Sequence, residues 1–124
     1  KMTKPLSDLK QEDYCYLTTT GRVSGNPHEI EIWFGLNEGT LYILSGGGDK
    51  SDWVKNLRKD PAVTVRIAKQ TFNATARIVE DKAEQMLARN LLADKYKERE
   101  SDGALSEWAQ SALVVGFDVN SEKL

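Results

Sequence analysis

Six short stretches of the chain carry the patterns of β-strands, either apolar and polar residues in alternation or runs of β-branched and aromatic residues. The clearest alternation covers residues 28–34, where Ile30, Ile32 and Phe34 fall on one face while two glutamates and Trp33 fall on the other. The predicted strands cover residues 14–20, 28–34, 40–45, 62–68, 71–78 and 112–119.

The connections between these strands predict a mostly antiparallel sheet. Turn residues at 21–27 and 37–39 join the first three strands as hairpins. Six strands with two distinct faces favour a small closed or partly closed barrel, because closure removes exposed sheet edges.

Helical patterns interrupt the strand series in two or three places. The first helix carries Trp53 and Leu57 on its buried stripe and ends before Pro61. The second runs from Asp81, which starts a capping box, to about Tyr96, and a shorter helical stretch precedes the last strand. The predicted fold class is mainly β with α (α+β), with six antiparallel strands and two to three flanking helices.

Residues 45–60 combine the end of the third strand, a run of three glycines and the start of the first helix, with Asp49 or Ser51 as the cap. Glycine lets the backbone approach a ligand, and the first amides of a helix lack intrahelical partners, so such a junction can hold a phosphate. A flexible turn explains the same residues equally well, because the spacing matches neither the P-loop nor the dinucleotide fingerprint. Both interpretations stay open on the local pattern.

The length, charge and cysteine content of the chain indicate how many domains it forms, which partners it favours and in which compartment it works. At 124 residues it can form one domain whose core needs no metal or disulfide, and we predict a lead-in at residues 1–13 followed by a single domain at residues 14–120. A net charge of −2 does not favour nucleic acid as a partner, and no apolar run is long enough to span a membrane. A single cysteine and the lack of a secretory leader pattern predict a cytoplasmic protein.

The polar residues predict no metal site and no catalytic residue of the chain's own. His28 and Cys15 are the only histidine and cysteine and lie apart in sequence, and a strand cysteine is typical of a small buried hydrophobe. Glu29 and Glu31 lie about 7 Å apart on one strand face, which a hydrated surface explains better than a glycosidase pair. Trp33 beside them suits a dimer interface or the flat ring of a ligand.

Several polar residues together outline an anion-binding mouth. Arg22 and Ser24 occupy the first hairpin turn, and barrel topology brings this turn and residues 45–50 to one end, near Asn56 and Arg58. Each of these residues alone is typical of a solvent-exposed turn. His28 alone is typical of a histidine at the exposed start of a strand. A chain with such a mouth and no nucleophile can be an enzyme if a bound cofactor carries the chemistry.

Four segments, taken in order, resemble the deazaflavin-dependent nitroreductase family. They are LTTTGRVSGNP at residues 17–27, a strand ending in Trp33–Phe34, LYILSGGG at residues 41–48 and WVKNLRKDPAVTV at residues 53–65. The resemblance covers about residues 14 to 119 and is more specific than any single motif. It implies the split β-barrel fold that this family shares with pyridoxamine-phosphate oxidases.

The resemblance also implies a cofactor, coenzyme F420 or the flavin FMN, and hydride transfer between it and a quinone-, nitro- or enone-type small-molecule acceptor. The phosphate end of the cofactor would lie at residues 22–24 and 45–50, and its ring near the end of the third strand. The implied cofactor-binding residues are Arg22, Ser24, His28, Leu44, Ser45, Gly46, Gly47, Lys50, Trp53 and Asn56. The family further implies a homodimer.

Three positions depart from the family pattern. Val23 and Gly46 stand where F420-binding members carry lysine, and His28 stands where they carry arginine. Each charge-assisted phosphate contact contributes about 1.5 to 3 kcal/mol, so these losses weaken the expected grip on a polyanionic tail and make FMN the competing cofactor. A non-catalytic carrier of a flavin, haem-like or acyl ligand and a purely structural interaction domain are the alternative functions.

Overall fold

Seven strands form one antiparallel sheet in the computed structural model of the protein, which describes residues 5–120. The strands are β1 (Cys15–Thr20), β2 (Pro27–Ile32), β3 (Gly35–Asn37), β4 (Thr40–Ser45), β5 (Ala62–Ile67), β6 (Gln70–Ile78) and β7 (Leu113–Val119). The helices are α1 (Asp52–Lys59), α2 (Lys82–Tyr96) and α3 (Glu107–Ser111), and short 3-10 helices cover Leu6–Leu9 and Gly48–Lys50. Residues 1–4 of the predicted lead-in lie outside the described residues.

The order of the strands curls the sheet into a half-barrel. The order is β2-β1-β5-β6-β7-β4-β3, so β2 and β3 form the two edges, yet only Trp33 and Phe34 separate them along the chain. So short a connection spans at most about 10 Å, and the two edges must therefore approach each other. This confirms the predicted α+β split-barrel architecture with an antiparallel sheet and flanking helices.

One strand, β3, lies outside the predicted strands, which raises the count from the predicted six to seven. The predicted strand at residues 28–34 ends at Ile32, and β3 begins at Gly35 and pairs with β4. Between them, the N–H of Phe34 donates to Tyr96 Oη at 3.0 Å, and its carbonyl accepts a hydrogen bond from Lys95 Nζ at 3.0 Å. Phe34 is fully buried and Trp33 is half-buried.

The main core lies inside the curl of the sheet. It contains the apolar residues of β1, β4, β5 and β7 that the alternation predicts, including Leu17, Ile43, Val65 and Phe117, each at most 1% exposed. Leu57 of α1 closes one side of this core.

Helix α2 covers the outside of the sheet with a face of small residues. Its buried residues are Ala88, Leu92 and Ala93. Met86 and Leu87, which the helical period of the sequence places on one face with Ala83 and Leu91, are 49% and 42% exposed. A close approach to β3 selects this orientation, because a side chain on Gly35 would lie 2.9 Å from Leu92 and its neighbour. The hydrophobic period of α2 therefore indicates the helix but not the face that packs.

Candidate functional site

The turn between β1 and β2 forms one end of the candidate site. Gly21 N donates to Asn26 O at 2.7 Å, Gly25 N donates to Gly21 O at 2.9 Å, and Asn26 N donates to Ser24 Oγ at 3.0 Å. A side chain on Gly21 would lie 2.6 Å from the His28 ring and 2.8 Å from Ser24 Oγ. Glycine at this position therefore lets both polar side chains fold over the turn.

Asn56 of α1 joins this turn to the rest of the fold. Its side chain is buried, and its Oδ1 accepts hydrogen bonds from Arg22 N at 3.1 Å and from Arg22 Nη1 at 2.8 Å. Its Nδ2 donates to Thr19 Oγ1 at 3.1 Å, and Lys59 Nζ adds a bond to the carbonyl of Arg22 at 3.3 Å. Asn56 therefore positions Arg22 by holding both its backbone and its side chain.

Arg22 also pairs with the first residue of α1. Its Nη2 lies 3.2 Å from Asp52 Oδ1, and its Nη1 lies 3.4 Å from the backbone carbonyl of Asp52. The side chain of Arg22 is 35% exposed and that of Asp52 is 83% exposed. The guanidinium is thus fixed in direction, and part of it stays open to solvent.

These elements surround a cleft of about 490 Å³, which we call the arginine cleft. Its lining residues are Thr19, Gly21, Arg22, Val23, Ser24, His28, Glu29, Ile30, Asp52, Trp53 and Asn56. Five of the predicted cofactor-binding residues come together here, namely Arg22, Ser24, His28, Trp53 and Asn56. Residues that are far apart in sequence thus meet at the predicted mouth.

A second cleft, of about 420 Å³, lies beside the junction of β2 and β3, and we call it the tryptophan cleft. Its lining residues are Tyr14, Glu31, Ile32, Trp33, Leu44 and Trp108. Trp33 stacks on Tyr96 with ring centroids 4.2 Å apart and planes 4° from parallel, and it meets Trp108 edge-on at 5.5 Å. Leu44 is the predicted cofactor-binding residue that lines this aromatic wall.

The two clefts adjoin along β2. Glu29 and Ile30 line the arginine cleft, and the next two residues, Glu31 and Ile32, line the tryptophan cleft. Successive residues of a strand advance by about 3.3 Å, so the two clefts lie next to each other along β2. We call the pair the groove, with a polar end at the arginine cleft and an aromatic end at the tryptophan cleft.

The end of α2 holds the aromatic wall in place. Lys95 Nζ donates to the carbonyl of Phe34 and lies 3.7 Å from the centre of the Phe34 ring, while Tyr96 Oη donates to Asp13 O at 2.8 Å. Burial lowers the pKa of Lys95 to about 8 and raises the pKa of Tyr96 to about 12. Because the same tyrosine ring stacks on Trp33, these contacts set the orientation of the wall.

Ser45 turns inward and away from the clefts. It is 2% exposed, and its Oγ donates to Gly48 O at 3.0 Å and lies 2.9 Å from Ser51 Oγ. Ser51 occupies the N-cap position of α1, as predicted, but its side chain makes no capping bond. The two serines stabilise the glycine loop.

The other predicted residues of the glycine loop lie on its exposed surface. Gly46, Gly47 and Lys50 are exposed and line neither cleft. Gly46 borders the tryptophan cleft, because a side chain there would lie 3.4 Å from the ring of Trp108. The loop therefore stands next to the groove, and the three residues stay predictions as cofactor contacts.

Two side chains that the sequence did not single out shape the site. Trp108 comes from α3, and the sequence pattern of that segment predicts only a helical turn. Asp52 lies in the first turn of α1, where acidic residues are common. Only its position next to the predicted anion-binding mouth could have marked it as a residue of the site.

Other candidate groups carry no site of their own. Cys15 is fully buried, and burial raises the pKa of its thiol to about 12, which confirms its interpretation as a small core residue. Among residues 5–120, no three His, Cys, Asp or Glu side chains stand close enough to hold a metal ion. Within the same residues, no helix is long and apolar enough to cross a membrane.

The groove fits a molecule with a phosphate at one end and a flat ring at the other. Arg22 keeps part of its guanidinium open beside Ser24 and His28, which suits a phosphate. Trp33 and Trp108 offer an aromatic wall that suits a planar ring. A deazaflavin or flavin nucleotide has both parts, so the residues present match the chemistry of such a group.

Comparison with solved structures agrees with the observed fold. An F420-H2-dependent reductase is 21% identical with a TM-score of 0.67, over 87% of this chain and 94% of that one. The haem storage protein HutZ of Vibrio cholerae is 19% identical with a TM-score of 0.72, over 94% and 89% of the two chains. A protein described as a domain-swapped dimer is 21% identical with a TM-score of 0.67, over 87% and 80%.

The curled sheet and its groove define a protein of the split-barrel class. Residues 4–103 match the family model of the F420H(2)-dependent quinone reductases, and the chain belongs to that family. The resemblance to deazaflavin-dependent enzymes seen in the sequence is therefore confirmed. The family is described by its use of reduced F420, and membership in it supports an oxidoreductase.

Proposed function

We propose that the protein transfers a hydride from reduced F420 to a small quinone-, nitro- or enone-type acceptor. The observation that carries this proposal is the family match over residues 4–103, on a chain in which a polar cleft and an aromatic cleft lie next to each other along β2. A quinone is the first acceptor to test, because it is the acceptor for which the family is described.

The residues of the arginine cleft would hold the phosphate of the cofactor. Arg22 supplies charge-assisted hydrogen bonds, and Asn56 keeps its guanidinium aimed at the cleft. Ser24 and His28 supply further polar contacts, and Trp53 forms part of the wall.

The tryptophan cleft and the glycine loop would hold the ring and the acceptor. Trp33, Trp108 and Leu44 give flat apolar contact and exclude water from the ring. Ser45, Gly46, Gly47 and Lys50 remain proposed contacts from the bordering loop. Bound reduced F420 supplies the hydride, so the chain has only to bind and orient the two reactants.

The comparisons support F420 as the cofactor, and they give no support to FMN. The family is described by its use of reduced F420, and an F420-H2-dependent reductase shares the fold. FMN remains the competitor that the missing cations suggest.

Titration of the purified protein tests the cofactor directly. F420 fluorescence should be quenched saturably, and Arg22→Gln should weaken binding about tenfold or more, because one charge-assisted phosphate contact is lost. Lys69→Gln, which removes an exposed lysine from the β5–β6 turn, is the matched control and should bind like the wild type. Absence of saturable F420 binding would contradict the proposal.

Turnover separates an enzyme from a carrier. Oxidation of bound reduced F420 by menadione or a nitroaromatic compound should be faster than oxidation of the free cofactor. A non-catalytic carrier is the second candidate, because the haem storage protein HutZ shares the fold. Equal rates for bound and free cofactor, or saturable binding of haem in place of F420, would favour the carrier.

We further propose that residues 14–120 form a single cofactor-binding domain of a cytoplasmic homodimer. The structural neighbour described as a domain-swapped dimer supports association of this fold. Sedimentation of the purified protein at several concentrations measures the state, and a monomer throughout would contradict the proposal.

A further inference from the structure

We infer that the arginine cleft binds a single phosphate of the deazaflavin cofactor and gains no affinity from the glutamate tail that F420 carries beyond it. This inference rests on the proposed function and concerns which form of the cofactor the protein prefers. It follows from the charges that line the cleft.

The arginine cleft has no surplus of positive charge. Its charged lining residues are Arg22, Asp52 and Glu29, one cation and two carboxylates, with His28 as the remaining titratable group. A tail of glutamates that extended along this surface would bring like charges together, which disfavours binding.

Arg22 has capacity for one anionic group. Its Nη1 already donates to Asn56 and to the backbone of Asp52, and its Nη2 donates to the carboxylate of Asp52. The exposed part of the guanidinium can still donate to one phosphate. A second anion would have no unused arginine in this cleft.

Four other cations lie near this end of the molecule, and none of them lines the arginine cleft. Arg58 pairs with Asp49. Lys59 donates to the carbonyl of Arg22 and lines an adjoining cleft of about 370 Å³ that also contains Arg22 and Asp60. The two remaining lysines of the helix and its loop, Lys50 and Lys55, line neither cleft of the groove.

Glu29 has a cationic partner outside the lining of the arginine cleft. Its carboxylate lies 3.7 Å from Arg66, but the two side chains are 55% and 44% exposed. Arg66 also lies over the ring of Tyr16, which holds its charge on the outer face of the sheet. With Arg66 included, the cleft and its rim hold two cations and two carboxylates, so no positive charge is left over for a tail.

Binding of a graded set of deazaflavins tests the inference. The set consists of the riboside without phosphate, the phosphate-bearing form without glutamate, and forms with short and long glutamate tails, each titrated by fluorescence at low salt. The phosphate should tighten binding about tenfold or more. Added glutamates should then change the dissociation constant by less than about threefold.

Two substitutions identify the cause. The double variant Asp52→Asn with Glu29→Gln should bind the long-tailed form about three- to fivefold more tightly relative to the form without glutamate. Glu38→Gln, in the exposed β3–β4 turn, removes a carboxylate outside both clefts and should leave the wild-type pattern unchanged. Circular dichroism checks that each variant is folded.

The outcomes separate this inference from the function on which it rests. Wild-type affinity that rises steadily with tail length would overturn the inference and leave the F420-dependent function standing. A double variant that stays indifferent to tail length would also overturn it, because the two carboxylates would not be the cause. Failure of every deazaflavin to bind would overturn the proposed function and this inference together.

Discussion

The two ends of the groove are stabilised in different ways. At the arginine cleft, hydrogen bonds from β1, the following turn and α1 converge on one buried amide, that of Asn56. At the tryptophan cleft, Trp33 is held between Tyr96 and Trp108 by ring contacts from α2 and α3. The polar end depends on a few directional bonds, whereas the aromatic end spreads its stabilisation over a larger contact area.

This difference predicts how each end responds to substitution. Removal of one hydrogen-bonding side-chain group at the polar end leaves buried donors and acceptors without partners. The resulting loss in the free energy of unfolding is larger than the net contribution of the hydrogen bond itself. At the aromatic end, loss of a polar atom leaves the ring contacts in place.

The largest effect is expected for Asn56→Ala. The change leaves the backbone N–H of Arg22 and the hydroxyl of Thr19 without partners, and we expect a loss of about 2 to 4 kcal/mol in the free energy of unfolding. Urea denaturation measures this loss. Lys55→Ala, at the preceding exposed position of α1, is the control and should change stability by less than about 0.5 kcal/mol.

Asn56→Asp refines the same test. Aspartate keeps the acceptor for Arg22 and loses only the donor to Thr19, so it should recover part of the stability. An alanine variant as stable as the wild type would show that the turn is held by Asp52 and Lys59 instead.

A smaller effect is expected for Tyr96→Phe at the aromatic end. The change removes the hydroxyl that accepts from Phe34 N and donates to Asp13 O, at a cost of about 1 to 2 kcal/mol. The stacked ring remains, so F420 affinity should stay within about threefold of the wild type. Tyr96→Leu removes the ring as well, and equal F420 binding by both variants would show that stacking does not set the wall.

The contrast between the ends also explains what could be predicted from the sequence. The turn at Arg22 and the helix at Asn56 carry local signals, a glycine turn and a helical stripe, and barrel topology places them at one end. The stacking of Trp33 on Tyr96 and the edge contact with Trp108 depend on which face of α2 packs. The close approach of Gly35 decides that face, and no periodic pattern reports it.

The break between β2 and β3 escaped prediction for a related reason. A strand pattern shows which side each residue faces, but it does not show which group accepts its backbone hydrogen bonds. At Phe34 these partners are Lys95 and Tyr96, about sixty residues away along the chain.

Titration of Lys95 should give the stability of the aromatic end a pH dependence. Burial lowers its pKa from 10.5 to about 8, so between pH 8 and pH 9 the unfolded chain holds a proton that the folded protein partly releases. The free energy of unfolding should therefore rise with pH in this window, by less than about 1 kcal/mol. This contribution is lost as the pH falls through about 8.

Above pH 9 the buried thiol of Cys15 acts in the opposite direction. Its pKa is raised from 9.0 to about 12, so the unfolded chain releases that proton first. The contribution of the thiol to stability therefore falls as the pH rises and offsets that of Lys95 up to about pH 10.5. Lys95→Met should abolish the rise between pH 8 and pH 9, and Lys97→Met, at the exposed end of α2, should keep it. Urea denaturation in that pH window measures both, and a rise that persists in Lys95→Met would assign it to another group.

The smallest effect is expected for Asp52→Asn at the polar end. The carboxylate is 83% exposed, so its ion pair with Arg22 should contribute less than about 0.5 kcal/mol to stability. Arg22 keeps its bonds to Asn56 and to the backbone carbonyl of Asp52, and the turn should hold its shape. A loss above about 1 kcal/mol in urea denaturation would mean that the carboxylate, and not the buried amide, positions the guanidinium. A small loss would show that Asp52→Asn changes the charge of the cleft without changing its structure. The binding measurements with different tail lengths need a substitution of this kind.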